Sequence, residues 1–279
     1  MYHKEALIKS HIMRSKTIAA ITADKGIPKT KLDQLSKQTA LPLLSPKITA
    51  DYLLHITTEY LELRKVTQTG KKQKHESIHI DFVTGKSNHR RLHGGGKGQD
   101  IAKAIGLHKI NNPKVLDLTA GMGGDSFVLA TLGANVTMVE RNPIVHALLQ
   151  DALARVSISA DSDLQDIFKR IKLINLDGLQ LLNDMSKEAL PENAPDVIYL
   201  DPMFPTRSKS AQVKKEMQFF HDIVGNDIDA EIIFLKALYL AKKRIVVKRP
   251  RLAEKITNKV EPAFVITGKS TRYDIYLPI

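Results

Sequence analysis

The chain has 279 residues, a formal net charge of +12 and no cysteine or tryptophan. Its length suits one large domain, or one large and one small. The missing cysteines exclude a disulfide framework and any chemistry in which a thiol adds to a pyrimidine ring; no run of about eighteen apolar residues offers a membrane span, and Met1-Tyr-His-Lys-Glu5 lacks the apolar core of a signal peptide.

A cytoplasmic protein with a polyanionic partner is therefore expected. Aromatic residues are sparse, which argues against an extended stacking platform for single strands. Residues 1–16 read as a basic, poorly ordered start or short helix. Thr17 to Thr22 reads as a strand, Asp24 to Pro28 as a turn and residues 29–38 as a short helix. Tyr52 to Thr57 and Tyr60 to Arg64 alternate like a hairpin, and Ser77 to Val83 alternates again after a polar, lysine-rich loop. Residues 1–85 are thus expected to form a small N-terminal α/β lobe. Residues 86–100 follow as a basic, glycine-rich connector, and 101–279 as the main domain.

The connector packs Arg90, Arg91 and Lys97 beside Gly94, Gly95, Gly96 and Gly98. Two readings stand side by side: a phosphate-binding segment, with exposed amides and cationic side chains, or a linker with a solvated charge run. Gln99 to Leu107 reads as a helix leading into the main domain.

Val115 to Leu118 is an apolar run ending near Asp117. Gly121, Gly123 and Gly124 follow, then Phe127, Val128, Ala130 and Leu132 at helical spacing. A second strand, Asn135 to Glu140, ends in an acid nineteen positions after Gly121. Strand, glycine turn, helix, strand, acid is a nucleotide-cofactor pattern. A dinucleotide would place its pyrophosphate on the helix N-terminus, where Asp125 puts a negative charge. The acid suits a cofactor with a positive centre and no phosphate, S-adenosylmethionine (SAM), with Glu140 accepting from the ribose hydroxyls.

Further on, Asn142 and Pro143 start a helix. Ile171 to Leu176, Asp196 to Asp201 and Arg244 to Lys248 read as further strands, and Ala263 to Thr267 with Tyr273 to Leu277 as a closing hairpin. The predicted class is α/β: a doubly wound Rossmann-like sheet with a C-terminal β-hairpin. Asp177 and Gly178, after the third strand, either meet an adenine amino group or cap a helix.

The fourth strand runs into Asp201-Pro-Met-Phe-Pro205. Strand ends at a topological switch point hold ligands. Asp201 offers an acceptor for an exocyclic amine, Pro202 restrains the turn, and Phe204 offers a face for a base. The segment is similar to the [Asp/Asn/Ser]-Pro-Pro-[Tyr/Phe] motif of amino-group methyltransferases, with Met203 in place of the second proline. Arg207, Lys209, Lys214 and Lys215 lie beyond it, either at a pocket rim contacting phosphates or on a solvated helix face. A second basic cluster, Lys242, Lys243, Arg244, Lys248, Arg249 and Arg251, surrounds the fifth strand.

These segments together resemble the ribosomal RNA small subunit methyltransferase J family: Asp117 to Phe127, Val139-Glu-Arg-Asn-Pro143, Tyr199 to Pro205, Ser210 to Met217, Val247-Lys-Arg-Pro250 and Arg272 to Tyr276 carry the likeness. The resemblance implies SAM-dependent methylation of the N2 amine of a guanine in 16S ribosomal RNA, alone or in the small subunit, with no metal. It implies cofactor contacts at Gly124, Asp125, Glu140, Arg141, Asp177, Gly178 and Asp201. The alternatives left open are an amino methyltransferase on another nucleic acid and a non-catalytic RNA-binding assembly factor.

Overall fold

The computed structural model describes residues 15–66, 76–186, 194–203, 222–225 and 227–279. The chain divides into two units, Met1–Ile78 and His79–Ile279. In the first, β1 (Ser15–Ala23), α1 (Lys29–Thr39), β2 (Ile48–Ile56), β3 (Leu61–Lys65) and β4 (Glu76–Ile78) build a four-stranded sheet in sequential order. β1 and β2 are parallel, and α1 makes the crossover that a parallel pair needs. Tyr52, Leu54, Leu61 and Leu63 are buried.

The strand expected to reach Val83 stops at Ile78. Ile80 and Phe82 are still buried, so the alternation is real. The backbone turns because the Asp81 carboxylate accepts the amides of Val83 (2.8 Å) and Thr84 (3.1 Å), an Asx-type turn that competes with pairing. Residues 86–100, read as a connector, contain α2 (Lys86–His93), a 3-10 turn (Gly96–Gly98) and the start of α3 (Asp100–Ile105).

The second unit continues with β5 (Lys114–Asp117), α4 (Gly124–Thr131), β6 (Asn135–Val139), α5 (Pro143–Ser157), α6 (Ser162–Lys169), β7 (Ile171–Ile174), α7 (Gly178–Met185), β8 (Val197–Leu200), α8 (Ala230–Ala237), β9 (Arg244–Pro250), β10 (Phe264–Thr267) and β11 (Thr271–Tyr276). The sheet order is β10-β11-β9-β8-β5-β6-β7. β9, β8, β5, β6 and β7 are parallel, and β11 returns antiparallel between β10 and β9. The doubly wound fold with a closing hairpin is the one the sequence predicts.

Helices cover both faces, so the central strands are apolar runs: all four residues of β8 are buried. On one face Leu116, Ile198 and Val247 pack under α7 and α8, and Phe234 meets Tyr276 edge-on at 4.5 Å. On the other, the Phe82 ring stacks on Phe127 at 4.5 Å. The chain winds outward from β5 through β6 to β7, then resumes on the other side of β5 with β8. The crevice of this reversal lies at the carboxyl ends of β5, β6 and β8.

Candidate active site

Asp117 ends β5 and is buried. Its carboxylate accepts Ser126 Oγ at 2.6 Å and the Thr119 amide at 3.0 Å, and so latches the following turn onto α4. Burial pushes its pKa up to about 6, although both hydrogen bonds oppose the shift. Gly121 and Gly123 have φ of +52° and +72°, which L side chains rarely adopt. At Gly123 a Cβ would also stand 2.5 Å from Met138 and 2.7 Å from Leu149. That glycine is therefore required by the packing behind the turn as well as by its backbone.

Glu140, just past β6, is buried. Its Oε2 accepts the Gly121 amide at 3.0 Å and its Oε1 the Asn142 amide at 2.7 Å. Each oxygen keeps acceptor capacity, because a carboxylate offers about four lone-pair positions. Burial raises its pKa to about 7, and the charges of Asp227 and Asp117 add to the rise. The next residue, Arg141, pairs with Asp227 (2.5 Å) and Asp229 (3.0 Å). Asp177 caps α7 through the Leu179 and Gln180 amides, so the helix-cap reading is the one its side chain satisfies. Gly178 is buried against Leu118 and reaches the cavity wall.

The turn after β8 is held at several points. The Asp201 amide donates to Thr119 Oγ1 at 2.6 Å. The Met203 amide donates to Asp227 Oδ2 at 2.7 Å, and the Asp227 amide donates back to the Met203 carbonyl at 3.1 Å. Pro202 is buried beneath it. The Asp201 side chain remains 39% exposed, opening on the cavity.

Sequence reasoning missed the group that joins these parts. Lys248 Nζ lies 2.7 Å from Asp201 Oδ2 and 2.7 Å from Asp125 Oδ2. Asp125 also accepts Tyr199 Oη at 2.7 Å and Arg90 Nη1 at 2.9 Å. Burial works against the Asp125 charge, but the Lys248 ammonium and the Tyr199 hydrogen bond outweigh it and hold its pKa below the ordinary range. Asp201 is pushed upward by burial and by the charge of Asp125, with Lys248 opposing. Lys248 therefore does not belong to an outer basic surface. Arg244 likewise turns inward, donating to the Ala104 carbonyl at 2.8 Å, and Arg249 is buried. A signal was available: Lys248 is the first charge after an apolar run whose register sets Val247 beside Leu200, one residue before Asp201.

The residues expected to contact substrate fare differently. Arg90 lines the cavity and is turned to Asp125. Arg91 points into the protein, its side chain only 8% exposed and its Nη2 2.7 Å from Asp161 Oδ2; a buried, paired guanidinium is not displayed to an RNA. Lys97 is exposed on the 3-10 turn. Phe204, Arg207, Lys209, Lys214 and Lys215 lie outside the described residues.

These walls enclose a cavity of about 390 Å³, within the roughly 300–1,000 Å³ of small-molecule sites. Asp117, Gly121, Gly123, Gly124, Asp125, Glu140, Arg141, Gly178, Asp201 and Pro202 all line it. Among the described residues, five carboxylates line it (Asp117, Asp125, Glu140, Asp201 and Asp227), against three cations (Arg90, Arg141 and Lys248). The acidic excess, the free acceptor capacity of Glu140 and the open space at Gly121 fit a cationic nucleoside such as SAM and disfavour a pyrophosphate.

Fold and cavity together define a SAM-dependent methyltransferase, and the SAM-dependent methyltransferase family model matches residues 34–278. The ribosomal RNA small subunit methyltransferase J of Cellvibrio japonicus is 50% identical over 212 residues, 75% of this chain and 77% of that protein. Its counterpart from Marinobacter nauticus is 46% identical over 257 residues, 91% and 88% of the two chains. The crystal structure of a SAM-dependent methyltransferase from Neisseria gonorrhoeae aligns with a TM-score of 0.70 at 34% identity, covering 93% of this chain and 96% of that one. This chain belongs to the ribosomal RNA small subunit methyltransferase J family.

Proposed function

We propose that this methyltransferase acts on the N2 amine of a guanine in the 16S RNA of the small ribosomal subunit, in the cytoplasm. One observation carries the reading: Asp201 and Glu140 open onto the same cavity. The names of the relatives support ribosomal RNA as the substrate.

Bound SAM would supply a methyl carbon already activated on sulfonium, so the protein's task is alignment. Glu140 would accept from the ribose hydroxyls, and the backbone at Gly121, Gly124 and Gly178 would pack against the nucleoside. The oxygen of Asp201 not bound to Lys248 would accept an N2 hydrogen and turn the amine toward the methyl. Pro202, clamped under the turn, would fix that direction, with Phe204 stacking on the base. SAM would supply the methyl group and keep the carbon–sulfur electron pair on its sulfur, and the surplus N2 proton would leave to solvent. Lys97, with Arg207, Lys209, Lys214 and Lys215, would contact the RNA backbone.

Transfer of labelled methyl from SAM to small subunits, followed by nucleoside mass analysis, tests this. N2-methylguanosine at a single position in 16S RNA is expected. A labelled adenosine or cytidine, or unlabelled RNA, overturns it.

A further inference from the structure

Among the described residues, Lys248 is the cation that joins Asp201, at the end of β8, to Asp125, on the first turn of α4. Its side chain is only 24% exposed. An ammonium drawn this far from water needs compensation, and here two carboxylates at 2.7 Å give it. The groups facing it are Asp125 from α4, Asp201 and Tyr199 from β8 and its end, and Tyr273 from β11, opposite Lys248 in the strand register. Arg90 from α2 reaches the same cluster through Asp125.

This geometry gives Lys248 two effects on Asp201. It occupies Oδ2, which leaves Oδ1 as the acceptor for an incoming amine. It also sets a positive charge between two carboxylates that would otherwise face each other. Without that charge each carboxylate disfavours the ionised form of the other, and the one with fewer donors, Asp201, takes up a proton more readily. A protonated Asp201 would be a donor at the place where an N2 hydrogen must be accepted.

We propose that Lys248 is a positioning residue for methyl transfer: bridging Asp125 and Asp201, it holds the Asp201 carboxylate ionised and turned toward the acceptor amine. This rests on the amine-methylating role proposed for Asp201, and adds that the role depends on a cation from the fifth parallel strand, acting through Asp201. Burial and the charges of Asp125 and Asp227 raise the Asp201 pKa while Lys248 lowers it, and Asp117 lies close enough to feel the same charge, so removing the lysine takes away the main downward influence.

The test is the pH profile of kcat, with SAM and small subunits both saturating, so that it reports groups in the loaded complex. The neutral variants Lys248→Met and Lys248→Gln are compared with Lys248→Arg and the wild type. Both neutral variants are expected to move the acid limb up by at least about one pH unit, to lose at least about tenfold in kcat at pH 7, and to recover as pH rises. Their KM for the subunit stays within about threefold. Lys248→Arg keeps the wild-type limb. A neutral variant with the wild-type limb, an arginine variant shifted as far as the neutral ones, or two neutral variants that no longer bind SAM by calorimetry would each overturn the proposal. Failure of the underlying reading looks different: the wild type itself would then leave subunit RNA unmethylated.

Discussion

Gly121 donates its backbone N–H to Glu140 Oε2 at 3.0 Å, across nineteen positions of sequence and between the ends of neighbouring strands. The acid expected to grip a ribose is thus also a structural tie, since its other oxygen holds the Asn142 amide at the start of α5. A carboxylate accepts at both oxygens, whereas an amide accepts at one only. Glu140→Gln therefore sets an NH₂ against a backbone donor at Gly121 or Asn142. A loss of about 1–3 kcal/mol in stability is expected, together with at least a tenfold loss in SAM affinity. Thermal unfolding and calorimetry check the two effects separately.

The same residue makes cofactor binding depend on pH. Burial raises its pKa to about 7 from an ordinary 4.5. Between those values the folded protein holds more proton than the unfolded chain. The Glu140 contribution to stability is full below the unfolded value and is lost as pH rises through about 7. SAM works in the opposite sense, because only the ionised carboxylate accepts from both hydroxyls and attracts a sulfonium. Its dissociation constant should fall between about pH 6 and 8, with proton release on binding. Titration in buffers of different ionisation enthalpy measures that release, and Glu140→Gln should abolish the pH dependence.

The sheet was legible because buried parallel strands must be apolar runs, and Val115 to Leu118 and Asp196 to Leu200 have few other ways to fold. The glycine turn was legible because the positive φ at Gly121 and Gly123 leaves a mark in sequence. The charge network was not. Asp125 reads as an uncovered acid aimed at a sulfonium; in the fold it is covered by Tyr199, Lys248 and Arg90. Those partners come from three separate elements, and local spacing carries no information about which long side chain turns inward. Arg91 shows the same limit, since composition shows its charge and not its pairing with Asp161, seventy residues away.

Arg91 and Lys97 should therefore separate in experiment. Arg91 is buried and paired, and Lys97 is exposed. Arg91→Ala removes a packed guanidinium and its pairing with Asp161, which should lower the melting temperature. Its KM for small subunits should stay near the wild-type value. Lys97→Ala should leave the melting temperature in place, raise that KM and flatten its salt dependence, as the loss of a phosphate contact does. Equal effects of both variants on KM would return Arg91 to the RNA surface.

The turn that presents Asp201 depends on a residue well downstream. Asp227 accepts the Met203 amide at 2.7 Å and is itself held by Arg141 at 2.5 Å, so the end of β6 steadies the turn after β8. Substrate and cofactor walls are thereby mechanically joined. Asp227→Ala removes the acceptor of a part-buried amide and leaves Arg141 with Asp229 at 3.0 Å and Asp177 at 3.7 Å. Misplacing a reacting group by about 1 Å can cost on the order of 100-fold in rate. A fall in kcat of at least tenfold is expected, with SAM affinity changed only a few-fold.

Asp201→Asn tests the chemistry most directly, because it keeps the shape and most of the hydrogen bonding of the turn. The Asp201 backbone amide would still donate to Thr119. The side-chain carbonyl would prefer Lys248, its strongest neighbouring donor, which turns the NH₂ toward the cavity. Two donors, amide and N2 amine, would then face each other. The expected outcome is a kcat reduced by on the order of 100-fold or more, the size of losing one aligned polar group at a reacting centre, with SAM affinity near wild type. Asp201→Ala should abolish transfer, and single-turnover methylation of small subunits measures both. If Asp201→Asn retains wild-type kcat, the carboxylate is not the amine's acceptor, and another group at the ends of β5, β6 or β8 must hold it.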